Sequence, residues 1–389
     1  MLALLGAAPD IDDKYAEARA QIQQLKEEIR KKTTGQDDTV LQTQSRQEEK
    51  EHGTWSDTAG PDGAGAQGGG GGAGGGNKQG LYKLQPPATF KLRRKLPGHF
   101  GKIYALHWAS NNEDIVSASQ DGKLLIWNTA TTNKKIAIPL RSAWVMTCAY
   151  SPCRRYVASG GLDNLCTIFN VKDSIGWDVN QPYRELQRHE GYLSCCRFVD
   201  DNQIMTSSGD ASCILWDIDK TTAISSFVDH NGDVESVAIC PNNKNIFVSG
   251  SIDAMAKVWD TRQGTNAIAN FKGHESDINS VEWFPDGNAF ISGSDDTTVR
   301  LFDLKAYKQL NIYCGEDILA SVTSVGFSNS GYYLLVGYDE EPFCLAWNTM
   351  TCDREAQLDH PTRASCLQFS PNGYAIATGC WDRILRIWA

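Results

Sequence analysis

The stretch "SASQDGKLLIWN", residues 117–128, places an acid, Asp121, in a turn six residues ahead of Trp127, inside an apolar, strand-like run. The same spelling returns down the chain. Trp127, Phe169, Trp216, Trp259, Phe302, Trp347 and Trp388 each follow an aliphatic residue or alanine, at spacings of 42, 47, 43, 43, 45 and 41 residues. Six residues before them stand Asp121, Asp163, Asp210, Asp253, Asp296, Glu341 and Asp382. Ten residues before them stand Ser117, Ser159, Thr206, Ser249, Ser292, Gly337 and Thr378. Five repeats carry a histidine upstream: His99, His189, His230, His274 and His360. Short alternating strands cut by turns such as Pro285-Asp286-Gly287 describe an antiparallel meander. A unit of this length cannot bury both faces alone and must stack on copies of itself, so the text predicts an all-β repeat fold.

The columns explain one another. A turn carboxylate can accept from histidine, histidine can bond the hydroxyl, and the hydroxyl can accept from the indole N–H, leaving no buried polar group unpaired. This structural relay is expected to use Asp121, Asp163, Asp210, Asp253, Asp296 and Asp382. Repeat two has "PLRSAW" where others have the histidine, and repeat six has Gly337 and Glu341 in place of the hydroxyl and the aspartate. A Ser-His-Asp set invites a hydrolase reading. Its recurrence in register without a nucleophile elbow argues for a fold element and against catalysis.

Composition sets further bounds. A chain of 389 residues with 22% charged and 41% apolar side chains has enough apolar text for a large core. The formal charge of −10 opposes general nucleic-acid binding, which needs a dominant basic face. "MLALLGA" lacks a basic region and runs into Pro9 and Asp10, so no signal peptide is expected, and no apolar run reaches the roughly 18 residues of a membrane span. The 12 cysteines form no C-x-x-C and sit mostly in apolar strand text; they are expected to be reduced, buried and intracellular. No metal or cofactor signature is present, and the glycines at 68–76 lack the strand and the G-K-[ST] of a phosphate loop.

Three segments differ in style. Residues 1–34 are expected to form an amphipathic coiled-coil helix. Asp10 suits its N-cap, and Ile11, Tyr15, Ala18, Ile22, Leu25 and Ile29 form an a/d seam. Under three heptads need a partner helix to be stable. Residues 35–88 read as an acidic, then glycine-rich linker. Residues 89–389 carry the repeats. The last repeat stops one residue after Trp388, and the unattached strand "TFKLRRKL" at 89–96 is expected to complete it, tying the ring shut.

With their GH and WD-type signals the repeats resemble the WD40 β-propeller family, which implies seven four-stranded blades. Register then gives a top-face inventory independent of any relative. The third residue after the histidine column reads Lys102, Trp144, Tyr192, Asp233, Asp277, Ser321 and Arg363. The fifth reads Tyr104, Met146, Ser194, Glu235, Asn279, Thr323 and Ser365, and the residue before each turn acid includes Leu162, Ile252, Asp295 and Trp381. Aromatics and methionine beside cations and acids make up a protein-binding surface.

Whole phrases, including "GKIYALHW", "AIPLRSAWVMTCAYSP", "GGLDN", "GYLSCCRF", "GHESDIN" and "TGCWDR", resemble the β subunits of heterotrimeric G proteins. That resemblance implies a non-enzymatic transducer at the cytoplasmic face of the plasma membrane, held there only peripherally through its partners. It implies an obligate γ subunit, paired along the amino-terminal seam and at Phe284 and Pro285. It implies a GDP-loaded α subunit and, after its release, effectors, both on Lys102, Tyr104, Trp144, Met146, Leu162, Asn164, Tyr192, Asp233, Asp277, Asp295 and Trp381. The α amino-terminal helix would meet Phe100, Lys123, Leu125, Asn133 and Lys134, and receptors would act on the assembled trimer. Glu235 and Ile252 stand where the family usually has Met and Cys, and the glycine-rich insert is a further departure. The alternative is another WD40 scaffold, such as a ribosome- or ubiquitin-ligase-associated adaptor. The seam ahead of the repeats favours the G protein reading.

Overall fold

A computed structural model describes residues 90–171, 179 and 181–389. The expected helix and linker fall outside these residues. Within them lie seven antiparallel four-stranded sheets. The first blade runs from Ile103–Trp108 on the inside to Lys134–Pro139 on the outside, and each following blade repeats the order. The innermost strands touch in sequence, and that of blade seven, Ala364–Phe369, returns to Ile103–Trp108, closing a ring.

Closure uses both ends of the repeat region. Leu92–Pro97 pairs antiparallel with Ile384–Trp388 as the fourth strand of the last blade. Lys91 and Ala389 exchange two backbone bonds of 3.1 Å, and Arg93 Nε donates to the Ala389 carbonyl at 3.0 Å. The sheet of this blade is therefore built from residues nearly 300 positions apart.

Every blade is covered on both faces by its neighbours, so the middle strands are buried over most of their length. Ile115 to Ala118 and Leu124 to Trp127 are all buried, as are Trp216 and Trp259. The relay satisfies the polar atoms trapped with them. His99 Nδ1 lies 3.0 Å from Asp121 Oδ2, His99 Nε2 lies 2.7 Å from Ser117 Oγ, and Trp127 Nε1 donates to that oxygen at 2.9 Å. The same chain of contacts joins Asp210, His189, Thr206 and Trp216, and Asp253, His230, Ser249 and Trp259. Asp296, His274 and Ser292 stop at the hydroxyl, since Phe302 has no N–H.

Two expected members stand elsewhere. Asp382 accepts from both terminal guanidinium nitrogens of the buried Arg386, and His360 Nδ1 turns to the Leu358 carbonyl at 2.8 Å. The strong cation four residues on outcompetes a neutral imidazole for the carboxylate. Asp163 has no histidine to meet, and among the described residues its Oδ1 accepts only from Leu165 N, at 3.3 Å. In blade six Ile318 fills the histidine's place, and Gly337 offers the Trp347 indole no hydroxyl to donate to.

Burial alone pushes the relay carboxyls upward, yet bonds from histidine and backbone N–H hold Asp210 and Asp296 well below the ordinary value and Asp253 at about 2. A depressed carboxyl stabilises the fold above its unfolded value of 3.8, and the contribution is lost as pH falls through the folded value. Asp210→Ala should therefore cost about 1–3 kcal/mol at neutral pH, and the deficit should shrink below pH 3. Glu341→Ala, in blade six, which has neither the histidine nor the hydroxyl, should cost much less. Equal losses of melting temperature for the two variants would contradict the relay.

Candidate functional site

The innermost strand of every blade contains a bulge at its second residue, seen as a register shift against the next strand. A bulge leaves one residue unpaired and re-aims its side chain. The seven displaced residues are Tyr104, Met146, Ser194, Glu235, Asn279, Thr323 and Ser365. All seven line a single central cavity of about 590 Å³. The fifth-residue column of the sequence is thus a ring at the mouth of the channel.

One side of this mouth is aromatic and cationic. Lys102 Nζ sits 3.5 Å from the Trp381 ring centroid and the Arg363 guanidinium 4.3 Å from it, so the indole lies against two cations. Tyr104 meets Trp381 edge to face at 6.5 Å. Arg363 is in turn held by Asp339 at 2.6 Å. Next to them Trp144 is 51% exposed, with Met146 and Leu162 also open to solvent. Such large apolar side chains left in water mark interaction surfaces. The backbone fixes the Trp: its carbonyl accepts from Leu162 N at 3.0 Å, and a Cβ on Gly161 would fall 1.9 Å from that carbonyl oxygen.

The other side is acidic. The Tyr192 hydroxyl lies within hydrogen-bond reach of both Asp233 Oδ2, at 3.0 Å, and Glu235 Oε1, with its one proton shared between them. Burial raises the Glu235 carboxyl above its usual range, Asp233, Asp277 and Asp295 raise it further, and the bond from Tyr192 only partly offsets them. Burial, then Asp295 and Asp233, raise Asp277 in the same way. Burial and the neighbouring acids also keep the Tyr192 phenol protonated. These raised carboxyls are the reverse of the relay: their charge weakens the fold above their folded values, and an incoming cation would relieve them. Asn279 bonds Asp295 Oδ1 at 2.6 Å, and Asn164, at φ 61°, donates to the Glu190 carbonyl at 3.1 Å.

A family model described as "G protein beta WD-40 repeat protein" matches residues 83–389. The guanine nucleotide-binding protein subunit beta-1 of Nicotiana tabacum is 46% identical over 321 residues, covering 78% of this chain and 84% of that protein. The beta subunit of Arabidopsis thaliana is 46% identical over 313 residues, or 76% and 82% of the two chains, and that of Zea mays is 44% identical over 321 residues, or 78% and 84%. This chain belongs to the G protein β WD-40 repeat family.

Within that family frame the remaining expected contacts lie apart from the mouth. On the side of blade one, Phe100 is 76% exposed, Lys123 and Asn133 are exposed, and Lys134 is half-buried with its Nζ donating to the Gly98 carbonyl at 3.2 Å. Leu125 is 3% exposed and packs with Trp127 and Leu385 between blades one and seven. Its side chain is buried there because both faces of the strand are covered by neighbouring strands. Phe284 and Pro285 follow the inner strand of blade five, and Phe284 packs edge to face on Phe327 at 5.1 Å. Ile11, Tyr15, Ala18, Ile22, Leu25 and Ile29 lie outside the described residues. Arg363 and Glu235 were present in the register columns but not among the expected contacts; side-chain chemistry alone did not show that one sandwiches Trp381 and the other anchors the acidic arc. Among the described residues no His, Cys, Asp or Glu cluster has the arrangement of a metal site.

Proposed function

We propose that this chain is the β subunit of a heterotrimeric G protein, a non-enzymatic transducer. In this reading it pairs obligately with a γ subunit through the amino-terminal seam, receives GDP-loaded α at the channel mouth, and engages effectors there once α leaves. The observation that carries the reading is the exposed Trp144 beside the Lys102–Trp381–Arg363 stack, on a chain whose relatives are named as guanine nucleotide-binding protein β subunits. Anchors of this composition dominate protein interfaces. The acids across the mouth suit a partner that brings cations. Size-exclusion chromatography of the chain co-expressed with a γ subunit tests this. GDP-loaded α should co-elute in a stoichiometric complex, and α loaded with a non-hydrolysable GTP analogue should not. Co-elution with neither form would favour the adaptor alternative.

Position at the cytoplasmic face of the plasma membrane belongs to the same reading, with a γ-borne lipid as the anchor. Lys91, just ahead of the closing strand, and Arg93 and Lys95 on it are exposed. A basic residue near an anionic surface contributes about 1 kcal/mol. Reversing all three charges should weaken binding of the γ-paired chain to phosphatidylserine vesicles at low salt and much less at high salt. Unchanged binding would leave these residues as guards against edge-to-edge pairing.

A further inference from the structure

Blades two and six both lack the relay histidine, but they treat its place differently. By register the position lies four residues ahead of the innermost strand, at Ile318 in blade six and Arg141 in blade two. Ile318 turns in and fills the space with hydrocarbon. Arg141 turns out: its side chain is 70% exposed, and its guanidinium lies 2.9 Å from Glu185. A cavity of about 410 Å³ remains, walled by Ser159, Asp163, Phe169 and Glu185, with Trp144 at its edge.

The first three walls are the blade-two members of the columns that hold an imidazole elsewhere. Ser159 is 4% exposed, whereas Ser117, Thr206, Ser249 and Ser292 are fully covered, and its hydroxyl makes no hydrogen bond among the described residues. Asp163 makes the same turn bond as Asp121, Oδ1 accepting from the backbone two residues on, at 3.3 Å and 3.1 Å respectively. Its Oδ2 corresponds to the atom that takes the imidazole N–H in blades one, three, four and five.

We infer that this cavity is a receptor for an imidazole ring supplied from outside the blade. The ring donates one N–H to Asp163 Oδ2, accepts from the Ser159 hydroxyl at its other nitrogen, and lays its edge on Phe169. Four filled copies in the same chain define the chemistry. The ring comes either from a free small molecule or from a histidine of a partner docked at Trp144, and the receptor itself does not depend on which partner the mouth takes.

Thermal melts of the γ-paired full chain with imidazole, in the absence of α, test this. At tenfold above its Kd, imidazole should raise the midpoint by roughly 2 °C. N-methylimidazole, which cannot donate while it accepts, should raise it less. Arg141→His, which supplies the ring from within as Arg188-His189 and Asp229-His230 do in their blades, should start higher and stop responding. Ser159→Ala should fold as the parent does and lose most of the response. No response in the parent chain, or an equal response in parent, Ser159→Ala and Arg141→His, overturns the inference. Once binding is established, saturating imidazole that weakens GDP-loaded α several-fold assigns the ring to a histidine of α, and unchanged affinity assigns a free small molecule.

Discussion

Trp144→Ala is expected to weaken binding of GDP-loaded α to the γ-paired chain by about thirtyfold or more, close to 2 kcal/mol, with the melting temperature unchanged. The separation of the two effects follows from placement. The indole is half exposed at the end of a bulged strand, so its removal empties no core cavity. In a complex it would be desolvated beside Lys102, Trp381 and Met146, where an aromatic anchor counts most. Because α and effectors would share the mouth, the same substitution should blunt effector activation, and α should displace an effector peptide. A variant that melts earlier but binds α at full affinity would return Trp144 to an ordinary packing role.

Placing aspartate at Ile22 and Leu25 is expected to abolish pairing with γ. These are consecutive positions of the expected seam, whose under three heptads would not hold a helix alone, and each aspartate would bring an unpaired charge into the proposed apolar interface. A cost of about 3–5 kcal/mol for one such charge already exceeds a hundredfold in affinity, and the two together leave no measurable complex. The readout is co-purification of tagged γ with the co-expressed chain. Aspartate at Gln23 and Gln24, outside the seam, should pair normally, which separates loss of the seam from loss of helix. Full recovery of γ with the seam variant would remove the coiled-coil assignment.

The ring of blades was legible in the sequence because each blade repeats one covalent spelling, and polar satisfaction leaves little freedom in it. A buried indole needs an acceptor, the hydroxyl needs the imidazole, and the imidazole needs the carboxylate. Where a single side chain competes, the spelling misleads. Nothing in the spacing of Asp382 says that Arg386, four residues on, will claim it. Leu125 shows a second limit: the resemblance names it as a contact but does not say how deeply it sits, and the structure buries it between blades one and seven. The mouth was legible as a set of columns but not as two halves. That Arg363 and Lys102 flank one indole while Tyr192 and Glu235 gather on the acidic side depends on where seven bulges point, which no local pattern of residues states.

The most direct test of the account is hydrogen–deuterium exchange on the γ-paired chain with and without GDP-loaded α. The account predicts slowed exchange at the bulged segments around 102–105, 144–147 and 192–195 and at the turn around 381, with the far end of the channel near Phe284 unchanged on adding α. Protection confined to the blade edges or to the Phe284 end, with the mouth exchanging freely in a saturated complex, would contradict it.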